Sequence, residues 1–158
     1  MRLVVCVAFV LGLAACAAPI APSARVTDAA RELNLAARFG RMDIALGLTA
    51  QNAKSTFVER HTAWGDAIRV LDVELSGLAM PDSHSAWLQV DYSWMRIDES
   101  TLRKTRVAQL WQDKDGWQLV REHRVAGDVG LFGERARAKA VPRPDVHRPS
   151  RIIRETPP

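Results

Sequence analysis

Cysteine is nearly absent from this chain of 158 residues, and its two cysteines, Cys6 and Cys16, both lie at the N-terminus. The rest of the chain therefore has no thiol for a disulfide framework or a cysteine-ligated metal site. Long hydrophobic runs are missing too: the apolar run at residues 3–13 is shorter than the roughly 20 residues that cross a bilayer. Apolar residues make up 47% of the chain, which excludes wholesale disorder and allows one packed domain.

Most of the chain also has no excess of charge of either sign. The formal net charge is +4, but residues 17–132 hold 14 basic and 15 acidic side chains. Residues 133–158 hold seven basic and three acidic side chains, together with five of the eight prolines. The net positive charge therefore lies in residues 133–158. Prolines interrupt helices and strands there, and the charged side chains leave too little apolar surface to form a core.

The N-terminus has the pattern of a secretory signal, with Arg2 ahead of the apolar run and small residues after it. Its end, Leu13-Ala14-Ala15-Cys16, resembles the lipobox of bacterial lipoproteins. That resemblance implies a signal peptide at residues 1–15 and a cysteine, Cys16, that carries lipid chains such as palmitate. The alternative is an ordinary secreted protein with a chance cysteine near its cleavage site.

The residue after the cysteine bears on location. Ala17 stands where lipoproteins retained in the inner membrane of enteric bacteria have aspartate, so the resemblance implies an outer-membrane lipoprotein that faces the periplasm. More than one acyl chain gives stable anchoring, since each buried CH₂ contributes about 0.8 kcal/mol. Residues 16–26 are small and proline-bearing, and we predict that they form the lipidated cysteine and a tether.

The hydrophobic period changes near residue 67. Helical spacing predicts a helix from Thr27-Asp28 to Gly40, a short helix after Asp43 and a third helix over about 52–64. Alternating spacing follows, with a loop at 77–83 and a tight hairpin turn at Asp115-Gly116. The predicted strands are residues 67–76, 86–97 and 102–112 and a last strand that begins at Trp117.

This order predicts an α+β fold in which N-terminal helices pack across a curved four-stranded antiparallel sheet. We place the domain at residues 27–124 and a basic, Pro/Arg-rich disordered tail at 125–158. The element order and the segment Gln109–Leu119 resemble a nuclear-transport-factor-2-like domain, a cone of helices on a bent sheet. The extra small hairpin of some members is not found here, and a cystatin-like sheet wrapped on one helix is the alternative.

The resemblance implies a pocket between the helices and the concave face of the sheet. Ketosteroid isomerases and polyketide cyclases of this fold use an aspartate with a tyrosine or histidine there. The candidate pocket residues of this chain are His61, Trp64, Asp72, Tyr92, Trp94 and Gln109.

Two observations favour a non-catalytic domain. His61 shares a helical stripe with Phe57 and Trp64, which is typical of a histidine in a core. Asp91 falls on the strand face opposite Tyr92, so the two cannot share a cavity unless the strand twists. We therefore predict that the protein is not an enzyme.

Metal and cofactor sites have little support. Asp113-Lys-Asp115-Gly116, with Glu122 beyond, is superficially similar to a calcium loop, but the first ligand position of that template falls on Trp111. A hairpin turn explains the same residues. His61, His84, His123 and His147 share no ligand spacing. We predict no metal and no cofactor.

Three function classes remain open: an envelope lipoprotein whose cone binds a small apolar ligand or a protein, a cone-fold enzyme (isomerase or cyclase-like) on a hydrophobic substrate, and a structural or assembly component. The expected partners are the membrane, through lipid on Cys16, and an unidentified protein. We expect the basic tail to bind anionic lipid or cell-wall polymer through its positive charges. Nucleic acid is not an expected partner of an exported, anchored protein.

Overall fold

The structure, a computed structural model, describes residues 20–134. The predictions for the signal peptide, Cys16 and the chain from residue 135 onward lie outside these residues. Within residues 20–134, three α-helices precede four β-strands. The helices are α1 (Pro22–Arg38), α2 (Met42–Gly47) and α3 (Lys54–His61), with a 3₁₀ turn at Gln51–Ala53; the strands are β1 (Ile68–Asp82), β2 (Ser85–Arg96), β3 (Arg103–Asp113) and β4 (Trp117–Gly127).

Helix α1 begins five residues before the predicted start at Thr27. Pro22 opens it, and proline suits a first helical turn because its φ is preset and its missing N–H has no intrahelical partner there. Val26, assigned to the tether from the sequence, is fully buried in this helix. The tether predicted at 16–26 is therefore helical from residue 22 onward. After the helix, Gly40 turns the chain with a φ of +71°, at the predicted stop.

The four strands form one antiparallel sheet in the order β1-β2-β3-β4. Strand β1 runs through Gly77 and Pro81, where the sequence predicted a loop. Register shifts along β1 absorb these residues, and β1 is an edge strand, where proline's missing N–H costs no ladder bond.

Two clusters of buried residues form the core. The helix cluster lies between the helices and the sheet and consists of Val26, Ala30, Leu33, Ala36, Ala37, Ala45, Phe57, Ala86, Leu88, Trp111, Trp117 and Leu119. The strap cluster consists of Ile68, Val70, Val90, Tyr92, Trp94, Val107, Leu131 and Phe132. The predicted inward face of β2, Leu88 to Trp94 at every second residue, is confirmed.

The chain after β4 contributes to this core. Strand β4 continues to Gly127, and Leu131 and Phe132 beyond it are buried. They lie at the end of the sheet where β2 ends and β3 begins, which we call the mouth of the cone. The packed domain therefore runs past the predicted boundary at residue 124, and residues 125–132 belong to the fold.

Candidate functional site

A buried hydrogen-bond network joins α1 to the concave face of the sheet. Asn34 of α1 donates from Nδ2 to Gln109 Oε1 over 3.1 Å, and Gln109 Nε2 donates back to Asn34 Oδ1 over 2.9 Å. The Tyr92 hydroxyl donates to the same Asn34 oxygen. These three residues are at most 1% exposed. Polar groups this deep are stable because each has a partner.

The network continues across the sheet from Gln109. Trp111 Nε1 donates to Gln109 Oε1 over 3.3 Å, and Gln109 Nε2 lies 3.4 Å from Glu122 Oε2. The Gln109 amide thus uses its acceptor and its donors inside the protein. Glu122 is 6% exposed, and its Oε1 has no hydrogen-bond partner among the residues that the structure describes.

Burial also sets the protonation of Tyr92. Loss of water raises the pKa of the Tyr92 phenol well above its ordinary value, and the negative charge of Glu122 raises it further. The phenol therefore stays neutral at physiological pH and acts as a hydrogen-bond donor. It does not supply a base.

His61 lies beside Glu122 in an aromatic cage. Its Nδ1 is 2.7 Å from the Phe57 carbonyl oxygen and 3.6 Å from Glu122 Oε1. The shorter contact places a proton on Nδ1, which donates to the carbonyl. Phe57 stacks on the imidazole at 4.0 Å between ring centres, and Trp64 meets it edge-on at 4.3 Å. Phe57 and His61 of α3 are thus packed in the core, but the helix predicted to continue to residue 64 ends at His61, and Trp64 lies beyond it and is half-buried.

The two predicted pocket tryptophans are also bonded within the chain. Trp94 Nε1 donates to Thr105 Oγ1 over 2.9 Å, and Trp64 Nε1 donates to the Leu131 carbonyl oxygen over 2.8 Å. Trp64 contacts Tyr92 edge-on, with ring centres 5.4 Å apart. Five of the six predicted pocket residues therefore come together inside the cone.

Asp72 is the exception. It is exposed and lies with Asp91 and Arg106 around a surface hollow of about 270 Å³. Strict alternation would put Asp72 on the inward face with Val70, but a register shift between these two residues turns Asp72 outward. Its assignment to the pocket was wrong for that reason.

Sequence reasoning missed Asn34 and Glu122 as interior residues. Asn34 could have been found as a lone amide beside the apolar positions Leu33 and Ala37 of α1. Glu122 could not be found by alternation, because Trp117 and Leu119 put Arg121 next on the inward face. A register shift between Leu110 and Trp111 of β3 places Glu122 inward instead.

A surface groove of about 660 Å³ lies between α3 and β4. Its lining includes Phe57, Arg60, Leu119 and Glu122, and Arg60 donates to the Glu122 carbonyl oxygen over 2.5 Å. Within residues 20–134 no three His, Cys, Asp or Glu side chains are grouped to hold a metal ion. No helix in that same stretch is long and apolar enough to cross a membrane.

Comparisons with known proteins agree with this architecture. No protein-family model matches the chain, and no curated protein matches it. Among solved structures, an NTF2-like protein from Cytophaga hutchinsonii matches with a TM-score of 0.50 and 14% identity, over 64% of this chain and 94% of that one. Likeness at this identity shows the fold alone. The chain has the NTF2-like α+β fold, helices followed by a curved four-stranded antiparallel sheet.

Proposed function

We propose that this protein is an outer-membrane lipoprotein facing the periplasm, whose cone domain is a non-catalytic binding or interaction module. The observation that carries this proposal is the filled interior of the cone. Asn34, Tyr92, Gln109 and Trp111 are each at most 1% exposed and bond to one another. A substrate would have to displace these side chains to reach the concave face.

Displacement is unfavourable because the groups satisfy each other. Separating the Asn34 and Gln109 amides leaves buried donors and acceptors unpaired, at about 1–3 kcal/mol for each group. The neutral Tyr92 phenol and the Nδ1 proton of His61 are both bound to protein oxygens. These groups favour a structural role over proton transfer, in line with the expectation of a non-enzyme.

The anchoring part of the proposal rests on Leu13-Ala14-Ala15-Cys16. Five residues, 17–21, lie between Cys16 and the start of α1 at Pro22, so lipid on Cys16 would hold that end of the helix within about 20 Å of the bilayer. That end lies beside the β3–β4 hairpin, because Arg25 and Asp113 form an ion pair at 3.3 Å. The mouth of the cone, at the opposite end of the sheet, would then face away from the membrane.

Membrane fractionation tests the anchor. The wild-type protein should sediment with outer membranes, and the intact mass of its mature form should include acyl chains on an N-terminal cysteine. Cys16→Ser should release the protein or leave it unprocessed. Normal processing and full membrane association of Cys16→Ser would refute the lipoprotein proposal.

A cone-fold enzyme is the second candidate, and the buried Glu122 carboxylate favours it, because its Oε1 accepts no hydrogen bond from any residue within 20–134. Two isosteric variants separate the candidates, Tyr92→Phe and Glu122→Gln, assayed by complementation of a deletion strain. An interaction module keeps its function in both variants at wild-type protein level. Loss of function in Glu122→Gln with unchanged stability and partner capture would support the enzyme.

A further inference from the structure

The mouth of the cone is closed by a short segment of irregular chain. We call the segment from Gly127, the last residue of β4, to Glu134 the strap. Leu131 in the strap is fully buried and Phe132 is 9% exposed, although neither belongs to a helix or strand. They pack against Trp94, Ile68 and the other residues of the strap cluster.

The base of the strap is held by hydrogen bonds to β3. Asp128 donates its N–H to the Lys104 carbonyl oxygen over 2.8 Å, and its Oδ2 accepts the Lys104 N–H over 2.8 Å. Thr105 Oγ1 donates to the Asp128 carbonyl oxygen over 2.7 Å. Gly127 makes the turn with a φ of +84°, where a Cβ would lie 2.3 Å from the Lys104 oxygen. The base is therefore a fixed anchor.

The tip of the strap is held differently. The Phe132 ring lies parallel to the Trp64 indole, with an interplanar angle of 3° and 6.3 Å between centres. It also meets His61 edge-on, and the Arg60 guanidinium lies 5.3 Å from its centre. The Glu134 carboxylate accepts the N–H groups of Gly130 and Phe132, which are bonds inside the strap itself. Toward the rest of the domain, the tip relies mainly on ring packing and on the bond from Trp64.

Gly130 separates the base from the tip. Its φ is +119°, and the position of a Cβ would be 3.2 Å from the Trp94 ring. Glycine here allows both the left-handed backbone and the close approach to Trp94. Rotation at this residue would lift Leu131 and Phe132 while the bonds of Asp128 stay intact.

We infer that the mouth is a binding site for a planar apolar molecule with an anionic group, and that Leu131 and Phe132 occupy it until the ligand displaces them. Trp64 supplies a flat apolar wall parallel to the Phe132 ring, Trp94 belongs to the same buried cluster, and a bound ring would take the place of the Phe132 ring. Arg60 beside that ring would pair with the anionic group. This inference rests on the proposed binding function. It adds the class of ligand and identifies Leu131 and Phe132 as the side chains that the ligand displaces.

The expected gain in ligand affinity can be calculated, because the ligand competes with Leu131 and Phe132 for the mouth. A ligand that needs the open strap binds with an apparent Kd equal to its intrinsic Kd divided by the open fraction. Removing the Phe132 ring raises the open fraction. A protein whose strap is closed nine-tenths of the time or more would gain about tenfold or more in affinity.

The test uses the mature polypeptide, residues 16–158, with Cys16→Ser so that no lipid or detergent competes. The probes are 1-anilinonaphthalene-8-sulfonate, which is planar, apolar and anionic, and N-phenyl-1-naphthylamine, which is neutral. Phe132→Ala should lower the Kd of the anionic probe about tenfold, with near-ultraviolet circular dichroism showing an intact fold. Adding Arg60→Gln to Phe132→Ala should weaken the anionic probe and leave the neutral one unchanged.

Leu33→Ala is the matched control, because Leu33 is fully buried in the helix cluster, away from the strap. An equal rise in probe binding by Leu33→Ala would mean general loosening and would overturn the inference. Unchanged binding by Phe132→Ala would overturn it as well. Lipid anchoring and partner capture do not depend on this result, so failure here leaves the proposed function standing.

Two further measurements keep the inference testable if Phe132→Ala does not fold. Glu134→Ala removes the acceptor inside the strap without opening a cavity, and it should raise probe affinity by a smaller factor. In the wild-type chain, saturating probe should speed amide hydrogen exchange at residues 130–133 and leave Asp128 protected. Unchanged exchange at 130–133 under saturation would contradict displacement of the strap.

Discussion

The helix cluster and the strap cluster are two halves of one core, and they are covered in different ways. Helices α1 and α3 cover the helix cluster, and their backbone hydrogen bonds are internal to each helix. The strap covers part of the other cluster with two side chains, Leu131 and Phe132, and no regular backbone bonding. Well-packed helices open at free energies that approach that of global unfolding, whereas an irregular segment with few contacts can open locally at lower free energy.

The largest loss of unfolding free energy is expected from a substitution in the helix cluster. Phe57 is 2% exposed and stacks on His61, so Phe57→Ala should lower the free energy of unfolding by about 3–5 kcal/mol. Urea unfolding followed by circular dichroism measures the loss. Val58→Ala, at a 43% exposed position on the same helix, is the control and should change little. A loss below about 1 kcal/mol for Phe57→Ala would mean that α3 does not cover this cluster.

The second-largest loss of unfolding free energy is expected from substitutions in the polar network of Asn34, Tyr92 and Gln109, which lies between the two clusters. Asn34→Ala removes the partner of both the Tyr92 hydroxyl and the Gln109 amide, and we expect a loss of about 2–3 kcal/mol in unfolding free energy. Tyr92→Phe is the matched variant, because Gln109 still donates to Asn34 when the hydroxyl is gone. Its loss should be smaller, about 0.5–1.5 kcal/mol by the same measurement. Equal losses in the two variants would argue against Asn34 as the shared acceptor.

Substitution of a large side chain by alanine should destabilise the protein less in the strap cluster than in the helix cluster. Phe132→Ala should cost about 1–2 kcal/mol, below the usual range for a buried phenylalanine, because the strap can open without unfolding the sheet. Phe39→Ala is the control, since Phe39 is 67% exposed. Global unfolding in urea gives the free energy, and exchange at residues 130–133 shows the local opening. A loss as large as that of Phe57→Ala would make the strap as integral as a helix.

The same contrast explains what the sequence could predict. The helices and strands that form the helix cluster have regular hydrophobic periods, so their order and the inward face of β2 could be predicted. The strap has no period: two apolar residues between Gly130 and Gly133 look like a loop. Its burial depends on a space left by Trp64 and Trp94, which becomes visible only in three dimensions.

Register shifts set the second limit on prediction. Alternation assumes that each residue of a strand changes face, and one bulge reverses every face after it. The shift after Val70 removed Asp72 from the interior, and the shift near Trp111 brought Glu122 in. Nothing in the local sequence at these two points distinguishes a bulge from a regular strand. The acidic residue of the site was therefore assigned to the wrong strand.

Outside both clusters, the Asp91–Arg106 pair on the outer face should give a small pH-dependent effect. Bidentate hydrogen bonds from Arg106 at 2.6 Å lower the pKa of Asp91 below its ordinary value. The pair's contribution is present above the unfolded pKa of about 3.9 and is lost as pH falls through the lower folded pKa. Because both side chains are partly exposed and screened by solvent, we expect this contribution to the unfolding free energy to be small.

Urea unfolding at pH 7 and pH 3 measures this contribution. Asp91→Asn should lower stability at pH 7 and flatten the decline toward pH 3 relative to the wild type. Repeating the pH 7 comparison in 1 M salt should shrink the difference, since exposed charges are screened. A wild-type and Asp91→Asn difference that is the same at both pH values would show that the ion pair does not stabilise the sheet.

The smallest effect on stability is expected from the C-terminal residues, and it marks where the packed domain ends. Truncation after Glu134 keeps the strap with its own acceptor, and if residues 135–158 form the disordered tail expected from the sequence, it should change the unfolding free energy by about a few tenths of a kcal/mol at most. Truncation after Asp128 keeps the anchor and removes Leu131 and Phe132, so it should destabilise the protein clearly and raise probe binding. The two truncated proteins thus separate the strap from residues 135–158.

Charge gives these C-terminal residues a second readout, in cosedimentation with anionic vesicles. Residues 135–158 hold seven basic and two acidic side chains, so their removal takes away five positive charges. The full chain should bind the vesicles in a salt-dependent way, because exposed charges act over about 8–10 Å, and truncation after Glu134 should abolish that binding. Salt-independent binding retained by the shorter chain would leave residues 135–158 without an electrostatic role. A large stability loss on the same truncation would move the end of the domain beyond Glu134.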